Sequence, residues 1–360
     1  MIFLGDLASP SAKTTECIDK VFSQNKDLFQ GKMIVCNLEG LIYEGPGIDD
    51  SRPVLFNDPS ILNSLGKDRS SIVCLANNHT LDLPGMFTAT VNRLTELKIG
   101  YCGAGISRKD ALNPLFFSEG NRSFALFNGC WDFLLYNHPN PSEGVHISEI
   151  REDELLSAIR ELRGSSPETS IIAFFHWNLD LETLPFPMYR TFSRALIDAG
   201  ASVVVGAHSH CVQGGESYKD GFICYGLGNF FLPDNEYAAG NLEFPSFSRT
   251  SLGLEWNVEK NEMLCHWFEY DSSGLEHRID YVGSDLFDDS PGLKQFSPYR
   301  GLNENEYLSF FRLNRRKRLL IPIYSDYRRR RLNRFYTMLL RVRARIARLL
   351  AQLKVIKWQN

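Results

Sequence analysis

Short polar clusters in this sequence carry the side chains that bind metal ions best. They are Gly5-Asp6, Asn37-Leu38-Glu39, Asn77-Asn78-His79, His176-Trp177 and Gly206-Ala207-His208-Ser209-His210, and each follows an apolar run: MIFL, MIVC, SIVCLA, SIIAFF and SVVVG. Asp6 and Glu39 offer hard anionic oxygens, Asn78 a neutral amide oxygen, and His176, His208 and His210 imidazole nitrogens. That set exceeds what one tetrahedral ion takes up and suits two divalent ions sharing a bridging oxygen. Such a pair activates a bridging hydroxide and clamps phosphoryl oxygens, which is chemistry for attack on a phosphoester. His79, beside Asn78, is placed to give a proton to a departing alkoxide. Imidazole with carboxylate suits Mn, Fe or Zn.

Taken singly, each cluster has a plainer reading. Asp6 after a strand can cap a helix or turn, Glu39 before Gly40 can be an exposed turn acid, Asn77-Asn78 can make Asx turns, and His176 can be a hydrogen-bonded core histidine. A common site accounts for all five clusters at strand ends, and the separate readings do not. Spaced two apart, His208 and His210 point the same way on a regular strand; a chain that bends at the strand end lets each reach a different ion. Four further residues stand around this set. Arg52 could hold an anionic substrate or simply be solvated. Asp82 could orient His79 or cap the helix that follows. Asp180 could serve the substrate or support a ligand, and Asn229 could close the pocket floor or make a turn after Gly228. His138, His146, His266 and His277 have no comparable context. No phosphate-binding glycine loop or nucleophile elbow is present, and Gly103-Ala104-Gly105 lacks the third glycine of a dinucleotide fingerprint, so it reads as a tight turn.

The elements that must position these residues alternate. Strands are expected at Ile2–Leu4, Met33–Cys36, Ile72–Leu75, Ile99–Cys102, Ser170–Phe175, Ser202–Val205 and Phe222–Tyr225, with a strand pair within 115–130 and a hairpin of Leu252–Val258 with Met263–Tyr270. Helices are expected at Thr14–Phe29 behind a threonine cap, Pro59–Leu65, Gly85–Leu97, Glu152–Leu162 and Pro187–Ala199. This alternation predicts an α/β fold with helices on the sheet faces and antiparallel strands late in the chain. Its strand ends converge on one crevice, where such folds bind ligands.

Composition divides the chain. Of 360 residues at net charge −4, the last 50 hold 16 Lys and Arg and one acid, Asp326, leaving 23 bases against 42 acids in the first 310. Gly, Pro, Ser and Asp enrichment makes 282–301 a linker between a body, 1–281, and a basic helical tail, 302–360. In the tail, a helix near Glu304–Arg318, a break at Pro322 and a long helix from about Asp326 to Lys354 are expected. Along that helix Leu332, Phe335, Leu339, Val342, Ile346, Leu349, Leu353 and Ile356 make an apolar stripe, with Arg334, Arg341, Arg345 and Arg348 roughly opposite. A coiled coil would stack like charges. An anionic membrane surface or an acidic protein partner fits better, and packing of the stripe onto the body is the alternative. No stacking pattern or recognition motif points to nucleic acid. Eight scattered cysteines without a C-x-x-C pair read as buried thiols of a reducing compartment, or as one or two disulfides in an exported protein. A strand beginning at Ile2 leaves no room for a signal peptide, and no run approaches the ~20 apolar residues of a membrane span. The expectation is a cytoplasmic body, held through its tail at the inner membrane face.

The run Asn37-Leu38-Glu39, then Leu75-Ala76-Asn77-Asn78-His79-Thr80-Leu81-Asp82, His176-Trp177, Gly206-Ala207-His208-Ser209-His210 and Leu227-Gly228-Asn229-Phe230 resembles the CapA family over Met1 to about Phe231. That family is linked to bacterial capsule and poly-γ-glutamate synthesis and belongs to the calcineurin-like metallophosphoesterase superfamily. The resemblance implies packed mixed β-sheets flanked by helices in four layers. It implies two metal ions on Asp6, Glu39, Asn78, His176, His208 and His210, with His79 as proton donor. The implied substrate is a phosphorylated or anionic compound related to a surface polymer; the alternative is a non-hydrolytic metal-binding part of a polymer assembly machine. The chain departs from the family pattern at His176-Trp177-Asn178-Leu179-Asp180, where His-Trp-Gly-x-Glu is usual. Ser209 stands where proline is common, and Asp6-Leu7-Ala8 lacks the histidine of the superfamily's Asp-x-His.

Overall fold

The computed structural model describes residues 1–45, 48, 54–66, 69–135, 144–237, 242–272 and 277–352. Two mixed sheets face each other. The first runs, edge to edge, through Arg278–Leu286, Glu262–Asp271, Thr250–Asn257, Ile2–Leu7, Ile34–Leu38, Ser71–Cys74 and Gly100–Cys102, with Asn229–Phe231 also paired to Ile2–Leu7. The second runs through Val212–Tyr218, Gly221–Leu227, Val203–Ala207, Ser170–His176, Arg122–Cys130 and Leu115–Glu119. In each sheet the strands bearing the polar clusters pair in parallel, and antiparallel strands fill the margins.

Side-chain alternation builds four layers. Phe3, Val35, Ile72, Phe174, Val203 and Val205 point into the core between the sheets. Their neighbours Ile2, Leu4, Ile34 and Cys36 point outward under helices Ala12–Gln24 and Phe87–Glu96, while Ile171, Ala173, Phe175 and Val204 point the other way, under Glu152–Ser165 and Pro187–Ala199. These strands are buried on both faces, which is why they read as continuous apolar runs. The architecture is the α/β sandwich of mixed sheets flanked by helices expected above.

Glycines let the strand ends close together. A Cβ on Gly5 would lie 1.9 Å from the carbonyl oxygen of Gly228, and one on Gly206 would lie 2.0 Å from that of Tyr225 and 2.3 Å from Trp177 Nε1. No side chain fits at either position.

Several boundaries differ from expectation. The first helix starts at Ala12 behind a capping box between Ser11 and Thr14, not behind a threonine cap, and a break at Asn25 separates it from Lys26–Phe29. Val212–Tyr218 forms an additional strand. The stretch read as a linker is part of the body: Val282–Leu286 completes an edge strand, Pro291–Phe296 is helical, and buried Tyr299 donates a hydrogen bond to the Gln213 carbonyl at 2.7 Å. Helix Glu304–Asn314 ends short of Arg318 and buries Tyr307 and Phe311 in the cluster containing Trp131 and Phe186. All eight cysteines are buried thiols without a disulfide; burial pushes Cys36 up to about 12.

The last helix, Arg330–Gln352, lies against the second sheet's helical layer, but not through its apolar stripe. Thr337 and Leu340 are buried, Tyr336 packs on Tyr324, and Arg341 reaches Asp132 at 3.1 Å. Leu332, Phe335, Leu339, Val342, Ile346 and Leu349 remain 36–55% exposed. Among the described residues the stripe is therefore not the face packed on the body. Leu353 and Ile356 lie outside the described residues.

Candidate metal centre

Sheet register sets the first half of the site. Asp6 pairs with Asn37 on one side and Asn229 on the other, so three polar side chains sit abreast where the first sheet ends. Asn37 donates to Asp6 Oδ1 at 2.8 Å, and Asn77 donates to Asn37 Oδ1 at 3.2 Å. The second sheet brings His176 beside Ala207, and the chain then leaves the strand through His208 at φ 84° and His210 at φ 52°. Left-handed backbone at two non-glycine residues is strained by about 1–3 kcal/mol each, which surrounding structure must hold. Part of that hold is visible: the His208 N–H donates to Asp6 Oδ2 at 3.0 Å, joining the two sheets, and His210 Nδ1 meets Asn229 Oδ1 at 2.8 Å.

Asn77 and Asn78 divide the two roles read for them. Asn77 caps the short helical turn Asn78–Leu81, accepting from the His79 and Thr80 N–H groups. Asn78 Oδ1 instead meets His176 Nε2 at 2.7 Å. Glu39 is fully buried, with Oε1 3.7 Å from His176 Nε2 and 3.9 Å from His79 Nε2. Glu39, His208 and His210 each place a ligand atom within 4.8 Å of the others. Asp6 borders this group, 3.5 Å from His210 Nδ1 and 3.9 Å from His176 Nδ1.

The electrostatics of this cluster ask for a cation. Burial holds the Asp6 carboxyl above its ordinary range, against the opposing charge of His210 and the hydrogen bonds from His208 and Asn37. Burial raises Glu39 further, with the charges of Asp6 and Asp82 added. His176 and His208 are held well below the ordinary imidazole value, first by burial and then by neighbouring histidines. Both Glu39 oxygens and Nδ1 of His176 and His208 are buried without a hydrogen-bond partner. Unpaired buried acceptors of this kind cost free energy unless something fills their valence. Two carboxylates, an amide and three imidazoles fit one or more divalent metal ions.

His79 stands at the rim. Its Nδ1 lies 2.7 Å from Asp82 Oδ2, which also accepts from the Leu55 N–H at 2.9 Å. The contact sets the His79 ring against Asp82. The Asp180 side chain is 38% exposed and paired with Lys317 at 3.3 Å. Asn178, at the usual glycine position, adopts φ 70°, a backbone state asparagine shares with glycine. Arg52 lies outside the described residues. His266 and His277 pair with Glu255 and Glu236, away from this set.

Residues without a signal in the sequence complete the surroundings. Asn57 donates to the carbonyls of Glu39 and Gly40 and accepts from the Ser9 N–H, fixing the loop that carries Glu39. Buried Glu182 accepts from the backbone N–H groups of Arg316 and Lys317 at 3.1 and 2.7 Å. The basic segment is thereby fastened beside Asp180, in the loop that follows His176.

Residues 2–234 match the family described as bacterial capsule synthesis protein PGA_cap. Among curated proteins, the chain is 29% identical over 163 residues to a capsule biosynthesis protein CapA of Bacillus anthracis, covering 44% of this chain and 39% of that one. It is 26% identical over 157 residues to a PGA biosynthesis protein CapA of Bacillus subtilis (strain 168), covering 43% and 40%. The chain thus spans about two fifths of the length of the curated relatives it matches. Among solved structures, a hypothetical protein from Thermus thermophilus aligns with TM-score 0.42 at 12% identity, covering 79% of this chain and 98% of that one. The chain belongs to the bacterial capsule synthesis PGA_cap family.

Proposed function

We propose that this protein is a metal-dependent phosphoesterase acting on a phosphorylated or otherwise anionic compound in the synthesis of a bacterial surface polymer. One observation carries the reading: six ligand-type side chains from five strand ends meet in a buried cluster where Glu39, His176 and His208 keep unpaired donor atoms. Asp6, Glu39, Asn78, His176, His208 and His210 would hold two divalent ions, Mn, Fe or Zn. Such ions supply Lewis-acid polarisation of a phosphoryl group and acidification of water.

The protein's own groups do the rest. Asp82, fixed by the Leu55 N–H, accepts a hydrogen bond from Nδ1–H of His79, so that the doubly protonated ring presents its Nε2–H to the leaving oxygen and is left neutral once that proton is given. The 0% exposure of Asp6 and Glu39 keeps bulk water from competing for their oxygens. His176 is held in place by Asn78, so its ring cannot turn without breaking that bond.

The test is metal content by elemental analysis, followed by hydrolysis of an aryl phosphate with Mn²⁺. His208→Ala should lose bound metal and activity together. His79→Ala should keep its metal and lose about 10²–10⁴ in kcat, the usual contribution of a positioned acid. Activity surviving both changes would refute the proposal. Tightly bound metal with no turnover on any phosphoester would assign the site to a non-hydrolytic role in polymer assembly.

A further inference from the structure

The last helix has two different faces, and only one is used by the fold. Thr337 and Leu340 are buried against the body, Arg341 pairs with Asp132, and Arg330 pairs with Asp153. The other side presents Leu332, Phe335, Leu339, Val342, Ile346 and Leu349, all at least 36% exposed, along about five turns. Large apolar side chains left contiguous in water mark a surface with a missing partner.

Charge decides which partner. The helix has seven arginines and no acidic residue. Arg331, Arg334 and Arg343 are exposed on the same turns as the stripe. At 100° per residue, Arg343 falls on one flank of the stripe and Arg334 on the other, with Arg331 at its margin. A second copy of this helix would bring arginine against arginine with no acid to offset it. An apolar stripe between cationic borders matches an anionic bilayer surface, where acyl chains take the stripe and headgroups take the guanidinium groups. Among the described residues no helix is long and apolar enough to cross a membrane. The helix would therefore lie along the interface.

We propose that Arg330–Gln352 docks this protein on anionic membranes through its exposed apolar stripe while its opposite face stays packed on the body. Because the docking residues are not the packing residues, binding requires no rearrangement of the fold and is separable from the metal site.

The experiment is flotation of the full chain with vesicles of phosphatidylcholine alone or with 30% phosphatidylglycerol, at low and high salt. Binding is expected only to the anionic vesicles and should weaken with salt. Leu339→Glu with Val342→Glu should abolish it without changing the melting temperature, since both sites are exposed. Gln at Arg331, Arg334 and Arg343 together should weaken partitioning by about 100-fold, at roughly fivefold per base. Three results would overturn the proposal: no binding to anionic vesicles, binding unchanged by the double glutamate variant, or a dimer in sedimentation velocity that this variant dissolves.

Discussion

Replacing Glu39 by glutamine should make the metal-free protein more stable and the metal-loaded protein less so. Glu39 is fully buried, neither of its oxygens has a hydrogen-bond partner, and its nearest carboxylates add repulsion. A buried carboxylate without compensation costs several kcal/mol, reduced when it takes up a proton. Glutamine keeps the shape, removes the charge, and can hydrogen-bond with Nε2 of His79, now 3.9 Å from Glu39 Oε1. A net gain of about 1–3 kcal/mol follows. At ~2.1 cal/mol/K per residue, a chain of 360 residues melts with an entropy near ~0.75 kcal/mol/K, so 1 kcal/mol moves Tm by about 1.3 °C. In chelator, Glu39→Gln should melt about 1–4 °C above the unmodified protein. With Mn²⁺ at a hundred times its Kd, the unmodified protein should gain about 2.7 kcal/mol per site, or ~3.5 °C, and the variant far less. Scanning calorimetry with and without metal measures both. If the variant in chelator melted several degrees lower, or responded to Mn²⁺ like the parent, Glu39 would be a structural acid and the metal reading would fail.

Two other perturbations test the frame around the site. Glu182→Ala removes the acceptor for the Arg316 and Lys317 N–H groups and should cost about 2–4 kcal/mol; tryptic cleavage within 315–318, slow in the parent, should become rapid, and unchanged cleavage would show the contact to be dispensable. Glu216→Gln breaks a buried two-point pair with Arg190 at 2.8 and 2.9 Å and should cost about 3–5 kcal/mol at pH 7 by denaturant melts. Burial works against the Glu216 charge, but Arg190 and then Arg194 outweigh it and hold its pKa below the ordinary value. Its contribution is therefore full above the ordinary carboxylate range and lost as pH falls through the depressed value. The gap between parent and variant should shrink below about pH 4; a gap independent of pH would mean the pair acts by packing alone.

The strand ends were legible because both sheets are buried on both faces, so each cluster stands as a sudden polar break after an apolar run. Local chemistry could not separate Asn77 from Asn78; that division depends on which amide faces His176 across 98 residues of sequence. Glu182 carried no signal, since its partners lie 134 and 135 residues on and are backbone groups that any residue possesses. The supposed linker was misread because an edge strand such as Arg278–Leu286 alternates exposed and half-buried residues, and its Gly and Ser content resembles a loop. For the last helix, periodicity found an apolar stripe but could not say which face the body covers, because Tyr336 and Leu340 give the other side apolar character too.

The place of the site in the fold explains why its ligands are so widely spaced in sequence. Asp6 belongs to the first sheet and His208 to the second, and the hydrogen bond between them crosses the seam. Asn128 makes a second crossing, accepting from the Ala76 N–H at 2.9 Å and donating to the Phe174 carbonyl at 2.7 Å. Each sheet alone therefore holds only half of the cluster: Asp6 and Glu39 on one, the three imidazoles on the other. Relative sliding of the sheets by even one strand residue, ~3.3 Å, would part the groups that now lie within 4.8 Å. The packed core between the sheets, with Phe3, Val35, Phe174 and Val205, fixes that alignment. On the proposed metal reading, ions joining the two halves would stabilise the sandwich, and core changes far from the site would loosen its grip on metal.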